Sequence, residues 1–428
     1  MVESRGLKRR LPAGIIDASF ASLATFAVGL AAVNLLADTE RGVYELFFTA
    51  FLLGGVLPRN LIFTPAEVDA VGFPLGMRIG LINRTLRLGA LPALVGVLSA
   101  LLAALVAAPL TTADVIIPFT LTAGIAGFLS PVQDHVRKML HIATRSWLAA
   151  TVSIAQFVVA VVAIFGMMSL DIEIAWIPFG ALSLANLTSL SLGWLLTRRF
   201  QHHSPEERSL RFASLARRGR WLVLQAAAPS LSAFLAATII TRLASPEALG
   251  FAGAARVVAQ PVLVFATGLT AVLGPRTIEA AMKRDRAIAR HTGRVFLIAI
   301  GLAGVAYLGV AGWSWALNPM TRLVPAAYEI SGLVALTIVA NIANAAIFLQ
   351  MHELLGAKRE LTLAKLSWSI SPILILGAAT AGTTDAFARA IGRLGESTTR
   401  FFLQIRIIRP QYADTELIES EHAGFVPT

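Results

Sequence analysis

The segment SLATFAVGLAAVNLLADTERG, residues 22–42, and the segment SLSAFLAATIITRLASPEALG, residues 230–250, decide the architecture of this chain. A shift of 208 positions lays Ser22, Leu23, Phe26, Leu35 and Gly42 on Ser230, Leu231, Phe234, Leu243 and Gly250. With a two-residue insertion, Pro65, Asp69 and Ala70 then fall on Pro275, Glu279 and Ala280. Further on, Ser153–Ile154 and Ser369–Ile370 occupy equivalent places in the fifth and eleventh apolar segments. The pattern is that of an internal duplication.

The 428 residues are 56% hydrophobic and 14% charged, with a mean hydropathy of +0.72, too apolar for a soluble protein of this size. A helical crossing of lipid needs roughly 20 apolar residues, and about twelve such stretches can be read off the chain. They lie near 12–37, 43–67, 86–108, 115–134, 147–168 and 174–197, and again near 219–243, 249–273, 295–317, 325–350, 361–380 and 385–407. The expected fold is therefore all-α and polytopic, with two pseudo-symmetric six-helix lobes. Residues 1–200 form the first lobe, 201–218 a polar cytoplasmic linker, 219–410 the second lobe and 411–428 a cytoplasmic tail. Six helices per unit make the repeats parallel, related by an axis along the membrane normal, an arrangement found in transporters.

A net charge of +11 raises the question of nucleic acid, but the basic residues alternate between loops and form no single patch. Arg78, Arg84 and Arg87, then Arg137, Lys138 and Arg145, then Arg217, Arg218 and Arg220, then Lys283, Arg284, Arg286, Arg290 and Arg294, then Lys358 and Arg359 follow the even-numbered segments. Arg41, Arg242 and Arg322 are the exceptions. This is the positive-inside pattern, and it places both termini in the cytoplasm of an inner-membrane, multi-pass protein with lipids, not nucleic acid, as its surroundings. The first apolar run is too long for a signal-peptide core and is expected to stay. With no cysteine, thiol chemistry and thiolate metal sites are excluded. No Walker lysine motif is present, and neither a cofactor nor a metal is expected.

The stretch from Ala18 to Leu30, then Leu35–Leu36 and the turn Asp38 to Tyr44 into a Phe-rich helix, resembles the opening of Wzx-type polysaccharide flippases. The run Ile240 to Phe251, followed by Pro261, Gly268–Leu269 and Pro275, resembles the start of their second half. These flippases belong to the multidrug/oligosaccharidyl-lipid/polysaccharide (MOP) superfamily, whose fold is MATE-like. The resemblance implies two lobes around a central cavity, alternating access, and a polyprenyl-diphosphate-linked oligosaccharide as substrate. Glycosyltransferases and a glycan polymerase would be partners in the same pathway. The expected twelve helices lack the additional C-terminal pair of the peptidoglycan-precursor flippases, which argues against that subfamily.

Ionisable groups within lipid-spanning helices are costly and mark pathways by default. Arg59 lies deep in the second segment beside Pro58 and Asn60, where a bend frees carbonyls; Arg256, followed by Gln260 and Pro261, is its rough counterpart in the eighth. A planar guanidinium fork suits phosphate oxygens, so both arginines are candidate headgroup clamps, with Asn60 and Gln260 beside them. The competing reading pairs each arginine with Asp17, Glu45 or a helix-end carbonyl. Asp385, Arg389, Arg393, Glu396 and Arg400 share one stripe of the twelfth helix; Arg389 and Arg393 could line the path, or pairs such as Asp385–Arg389 and Glu396–Arg400 could neutralise a packing face. In the resembled fold that helix is peripheral. Asp17 is the candidate for proton or sodium coupling, or a cap at the start of the first helix.

Asn186, Asn341, Asn344 and Gln156 read as interhelical hydrogen-bonding amides. Gln133, Asp134, His135 and His141 read as a solvated loop without metal-ligand spacing. The Asn83-Arg84-Thr85 sequon lies on the cytoplasmic side and is expected to stay unused. A flippase thus leads. A cation-coupled multidrug exporter of the same fold would need cavity carboxylates, and a membrane glycosyltransferase would need an acidic cluster on a sizeable outer loop.

Overall fold

The computed structural model describes residues 2–71, 73–198, 210–313, 318–325 and 332–408, with the side chains of 2–11, 71, 75, 76, 271 and 275 left aside. Residues 201–209 of the expected linker and the expected tail at 411–428 lie outside them. All regular structure in the described residues is helical.

The principal helices are α1 (Val2–Leu35), α2 (Asp38–Ala70), α3 (Leu81–Ala107), α4 (Ala113–Ile142), α5 (Ser146–Ser169) and α6 (Ile174–Arg198). After them come α7 (Phe212–Leu243), α8 (Pro246–Met282), α9 (Arg286–Ala311), α10 (Leu333–Gly356), α11 (Glu360–Ala379) and α12 (Phe387–Ile408). Among the described residues, eleven helices, α1 to α11, contain a span long and apolar enough to cross a membrane. The remaining one, α12, has 22 residues. At 1.5 Å per residue that is about 33 Å, enough for the hydrocarbon layer. It is more polar than the others because Arg389, Arg393, Glu396 and Arg400 sit within it; Arg389 pairs with Glu45 of α2, and the other three pair along the helix itself.

Several helices overrun their expected bounds at the end of the bundle where α1 begins, called here the basic end. α7 starts at Phe212, inside the segment expected as linker; α8 runs on to Met282; and α9 starts at Arg286. Hydropathy marks only the part of a helix that lies in lipid, whereas hydrogen bonding continues into polar sequence. Asp285 accepts from the Ile288 amide at 2.9 Å and so caps α9. The overrun of α7 carries Arg218 to the Asp69 carboxylate and to the Pro65 carbonyl of α2.

α2 is bent as its proline predicts. Helical pairing breaks at Gly55, Pro58 follows, and Arg59–Phe63 forms one π turn. The Val56 carbonyl just before the π turn accepts from the Arg59 amide and from the Asn60 side chain, the latter at 2.9 Å.

Inside lipid no hydrophobic force drives helix onto helix, so close packing must hold the bundle. At the end opposite the basic one, the Phe-rich start of α2 builds an aromatic nucleus. Phe119 of α4 lies 5.6 Å from Phe47 and 6.1 Å from Phe179, and Tyr44 lies 5.0 Å from Phe179, centroid to centroid. In the second half Tyr307 of α9 donates to the Val258 carbonyl of α8 at 2.6 Å. Tyr307→Phe should lower stability by about 1 kcal/mol, seen as a small fall in melting temperature with transport intact.

Candidate functional site

α2 and α8 start side by side at the far end, and successive turns touch residues displaced by the repeat interval. Thr39 donates its hydroxyl to Glu247 at 2.7 Å, across 208 positions. A Cβ on Gly42 would run into the backbone of Pro246, and one on Gly250 would lie 3.5 Å from the Gly42 amide nitrogen. The Glu45 side chain fills the space that a side chain on Gly253 would occupy. The Arg256 guanidinium lies 4.1 Å above the ring of Phe48. Thr39–Glu247, Gly42–Gly250, Glu45–Gly253 and Phe48–Arg256 are each a residue and its own counterpart under the 208-residue shift, and only positions on a two-fold axis touch their counterparts. The duplication legible in the sequence is thus realised as a pseudo-two-fold axis between α2 and α8.

A charged clasp sits on this axis. Glu45 accepts from Arg256 Nη2 at 2.7 Å and Nε at 3.2 Å, and from Arg389 Nη1 of α12 at 3.1 Å. Along α12, Glu396 pairs with Arg400 at 2.8 Å and with Arg393 at 3.5 Å. The first turn of α12 therefore reaches the seam between the halves instead of staying peripheral. Arg389 serves α2 and not the expected Asp385, because Asp385 precedes the helix with φ 47° and is out of the i, i+4 register. The Glu396–Arg400 pairing is as expected.

A second cluster lies toward the basic end, about 20 Å further along α2 by helical rise. Asp134 of α4 binds Arg137 at 2.6 Å, Lys138 at 3.1 Å and Arg59 at 3.6 Å. Asp17 of α1 accepts from the Ser153 hydroxyl at 2.6 Å, lies 2.8 Å from His141 Nε2 and faces Arg137 at 3.7 Å. The Arg59 side chain is 44% exposed and that of Lys138 39%. Leu52, two turns before Arg59, is 49% exposed, and the spacings Glu45, Leu52, Arg59 put all three on nearly one face of α2. That face looks between α4 and α8, since Arg59 reaches Asp134 on one side and Glu45 packs over Gly253 on the other.

Several expectations change. Gln133, Asp134, His135 and His141 lie on the last turns of α4 and form no solvated loop. His135 is 1% exposed, with Nδ1 2.9 Å from Glu67, Nε2 2.7 Å from Thr85 and its ring stacked on Phe63. Because Thr85 is itself fully buried, this carboxylate–imidazole–hydroxyl line meets no substrate. Asp17 caps nothing, since α1 begins at Val2. As the repeat register implies, Arg59 and Arg256 do not superpose: Arg256 lies over Phe48 and is tied to Glu45, whereas the one ion pair of Arg59 among the described residues is with Asp134 at 3.6 Å. Asn60 donates to the Val56 carbonyl of its own helix at 2.9 Å. Gln260 has a buried Oε1 without a hydrogen-bond partner among the described residues, and Arg393 holds Glu396 at 3.5 Å. Of the amides, Gln156 donates to Asn186 at 2.7 Å and Asn341 to the Ala259 carbonyl at 2.9 Å, both between helices as expected. Lys138, read at first only as a topogenic charge, joins the site. Its i, i+4 spacing from Asp134 was the available signal.

No family model matches the chain, and no curated protein matches it. Solved structures do. An inward-facing multidrug-resistance MATE transporter of the MOP superfamily is 14% identical, with 93% of this chain and 98% of that one covered and a TM-score of 0.63. A MOP superfamily transporter from Pyrococcus furiosus, described as having a binding pocket of reversed polarity that suggests a different function, is 14% identical over 95% and 96%, with a TM-score of 0.68. The eukaryotic MATE transporter AtDTX14 is 15% identical over 94% and 96%, also at 0.68. The fold is that of the MATE transporters.

Proposed function

We propose that this MATE-like chain is a transporter of the cytoplasmic membrane, with both termini cytoplasmic, that flips a polyprenyl-diphosphate-linked oligosaccharide by alternating access. The observation that carries the reading is the sign of the accessible charge. Arg59 on α2 and Lys138 on α4 are each about two-fifths exposed, beside a single shared carboxylate. A diphosphate brings about two negative charges; Arg59 can grip its oxygens with two parallel N–H donors while Lys138 adds a point charge. A cationic drug would need an available carboxylate. Asp17, Glu45 and Asp134 are each already held by at least two partners, which disfavours a multidrug exporter. Glycosyltransferases would supply such a substrate and a polymerase would consume it. Asp17, joined to His141, remains the coupling candidate.

The test is a flipping assay in vesicles with a labelled polyprenyl-diphosphate sugar, scored by its protection from a membrane-impermeant reagent. Losing a charge-assisted contact of about 1.5–3 kcal/mol should slow flipping by roughly tenfold or more in Arg59→Ala, with partial recovery in Arg59→Lys. Unchanged flipping at equal protein content would remove Arg59 from the path and the diphosphate reading with it. Efflux of ethidium by the wild type would point to the drug exporter instead.

A further inference from the structure

The clasp on the pseudo-axis holds more positive charge than it neutralises. Among the described residues its ion pairs join four guanidinium groups, Arg256, Arg389, Arg393 and Arg400, to two carboxylates, Glu45 and Glu396. An excess of two cations lies within helices of a lipid-spanning bundle, where unbalanced charge is costly and calls for an anion.

The geometry around Glu45 is that of an oxyanion site with a side chain already in it. Arg256 and Arg389 come from different helices and converge on the one carboxylate, at 2.7 and 3.1 Å. The phenyl ring of Phe48 lies beneath the Arg256 guanidinium and fixes its plane. The absent side chain of Gly253 makes the niche in which the carboxylate lies. Tyr44 is 2% exposed, its ring lies 6.1 Å from that of Phe48, and its buried hydroxyl has no hydrogen-bond partner among the described residues. A phenol donor left over next to the ring on which Arg256 rests, added to two converging guanidinium forks, is more donor capacity than one carboxylate uses. A phosphate group, with more oxygens and more charge, would use it.

We infer that Arg256, Arg389 and Tyr44 form a second phosphate site, for which Glu45 is a resident stand-in that the prenyl diphosphate displaces. This rests on the flippase reading and adds to it the event that opens the far end. Glu45 ties α2 to both α8 and α12, so its displacement removes the charged bond between the halves on the axis and leaves the Thr39–Glu247 hydrogen bond and the Gly42–Pro246 packing to part in turn. The headgroup then passes from Arg59 and Lys138 to Arg256 and Arg389, and the clasp yields only when cargo arrives to replace the lost carboxylate.

The experiment measures binding of geranyl diphosphate to the purified full-length chain, with geraniol and inorganic phosphate in parallel to separate tail from headgroup. Because removing an intramolecular competitor exposes the site, Glu45→Gln should bind geranyl diphosphate about tenfold or more tightly than the wild type, and Arg389→Gln should cancel that gain. Geraniol should show no such gain. If Glu45→Gln does not yield folded protein, Glu45→Asp, which keeps the charge but draws it back by one methylene, should tighten binding by roughly threefold. Wild-type binding that Glu45→Gln leaves unchanged or weakens overturns this inference alone. No binding by either protein overturns the diphosphate reading as well.

Discussion

Asp134→Ala should unfold this protein more readily by about 3–5 kcal/mol, the cost of leaving the buried Arg137 without its nearest counter-charge. Asp134 is the common acceptor for Arg137 at 2.6 Å, Lys138 at 3.1 Å and Arg59 at 3.6 Å. Without it three cations on two helices share only Asp17, which reaches Arg137 at 3.7 Å and is already engaged by His141 and Ser153. Heat or SDS titration of the purified chain reads the loss. Removing one of the stranded cations, as in Asp134→Ala with Lys138→Gln, should return part of it, and the double-mutant cycle gives the coupling. A change under about 1 kcal/mol would mean that water, not Asp134, balances these charges.

Gly42→Val should reduce transport to background while leaving the rest of the bundle folded. A Cβ at Gly42 would overlap the carbonyl and Cα of Pro246, and backbone at a helix start has no rotamer with which to give way. The two helix starts must then stand apart, which carries Glu45 away from Arg256 and biases the molecule toward opening at the far end. The chain contains no cysteine, so Leu52→Cys alone provides a reporter on the exposed face of α2. Labelling by a membrane-impermeant maleimide from the far side should be slow in that background and fast once Gly42→Val is added. Gly309, whose added Cβ would meet nothing within 4 Å, supplies the control: Gly309→Ala should change neither labelling nor transport. Normal transport by Gly42→Val would show that the axis contact does not need to close during the cycle.

How far the site could be read from residues alone differs from group to group. Arg59, Arg256 and Arg389 stand out in any apolar sequence because an ionised side chain there demands a reason. Their partners do not stand out. Glu45 lies 211 positions from Arg256 and 344 from Arg389, and no local spacing links them. His135 and His141 were misread because four polar residues near a helix end look like a loop; burial by Phe63, Glu67 and Asp17 is a property of neighbours brought from other helices. The overrun of α7, α8 and α9 escaped hydropathy for a related reason: helical hydrogen bonding is indifferent to whether water or lipid surrounds it.

Composition and periodicity therefore determined by themselves that this chain is a helical membrane bundle, and the echo of residues 22–42 in 230–250 determined that it is built twice, since lipid permits little besides helices and repeats keep their spacing. Only the tertiary structure decided which charges are committed and which remain accessible. Pairing energy depends on distances between helices far apart in sequence, and it took the crossing of α2 and α8 at Gly42 and Gly253 to bring Glu45 under Arg256 while leaving Arg59 half open.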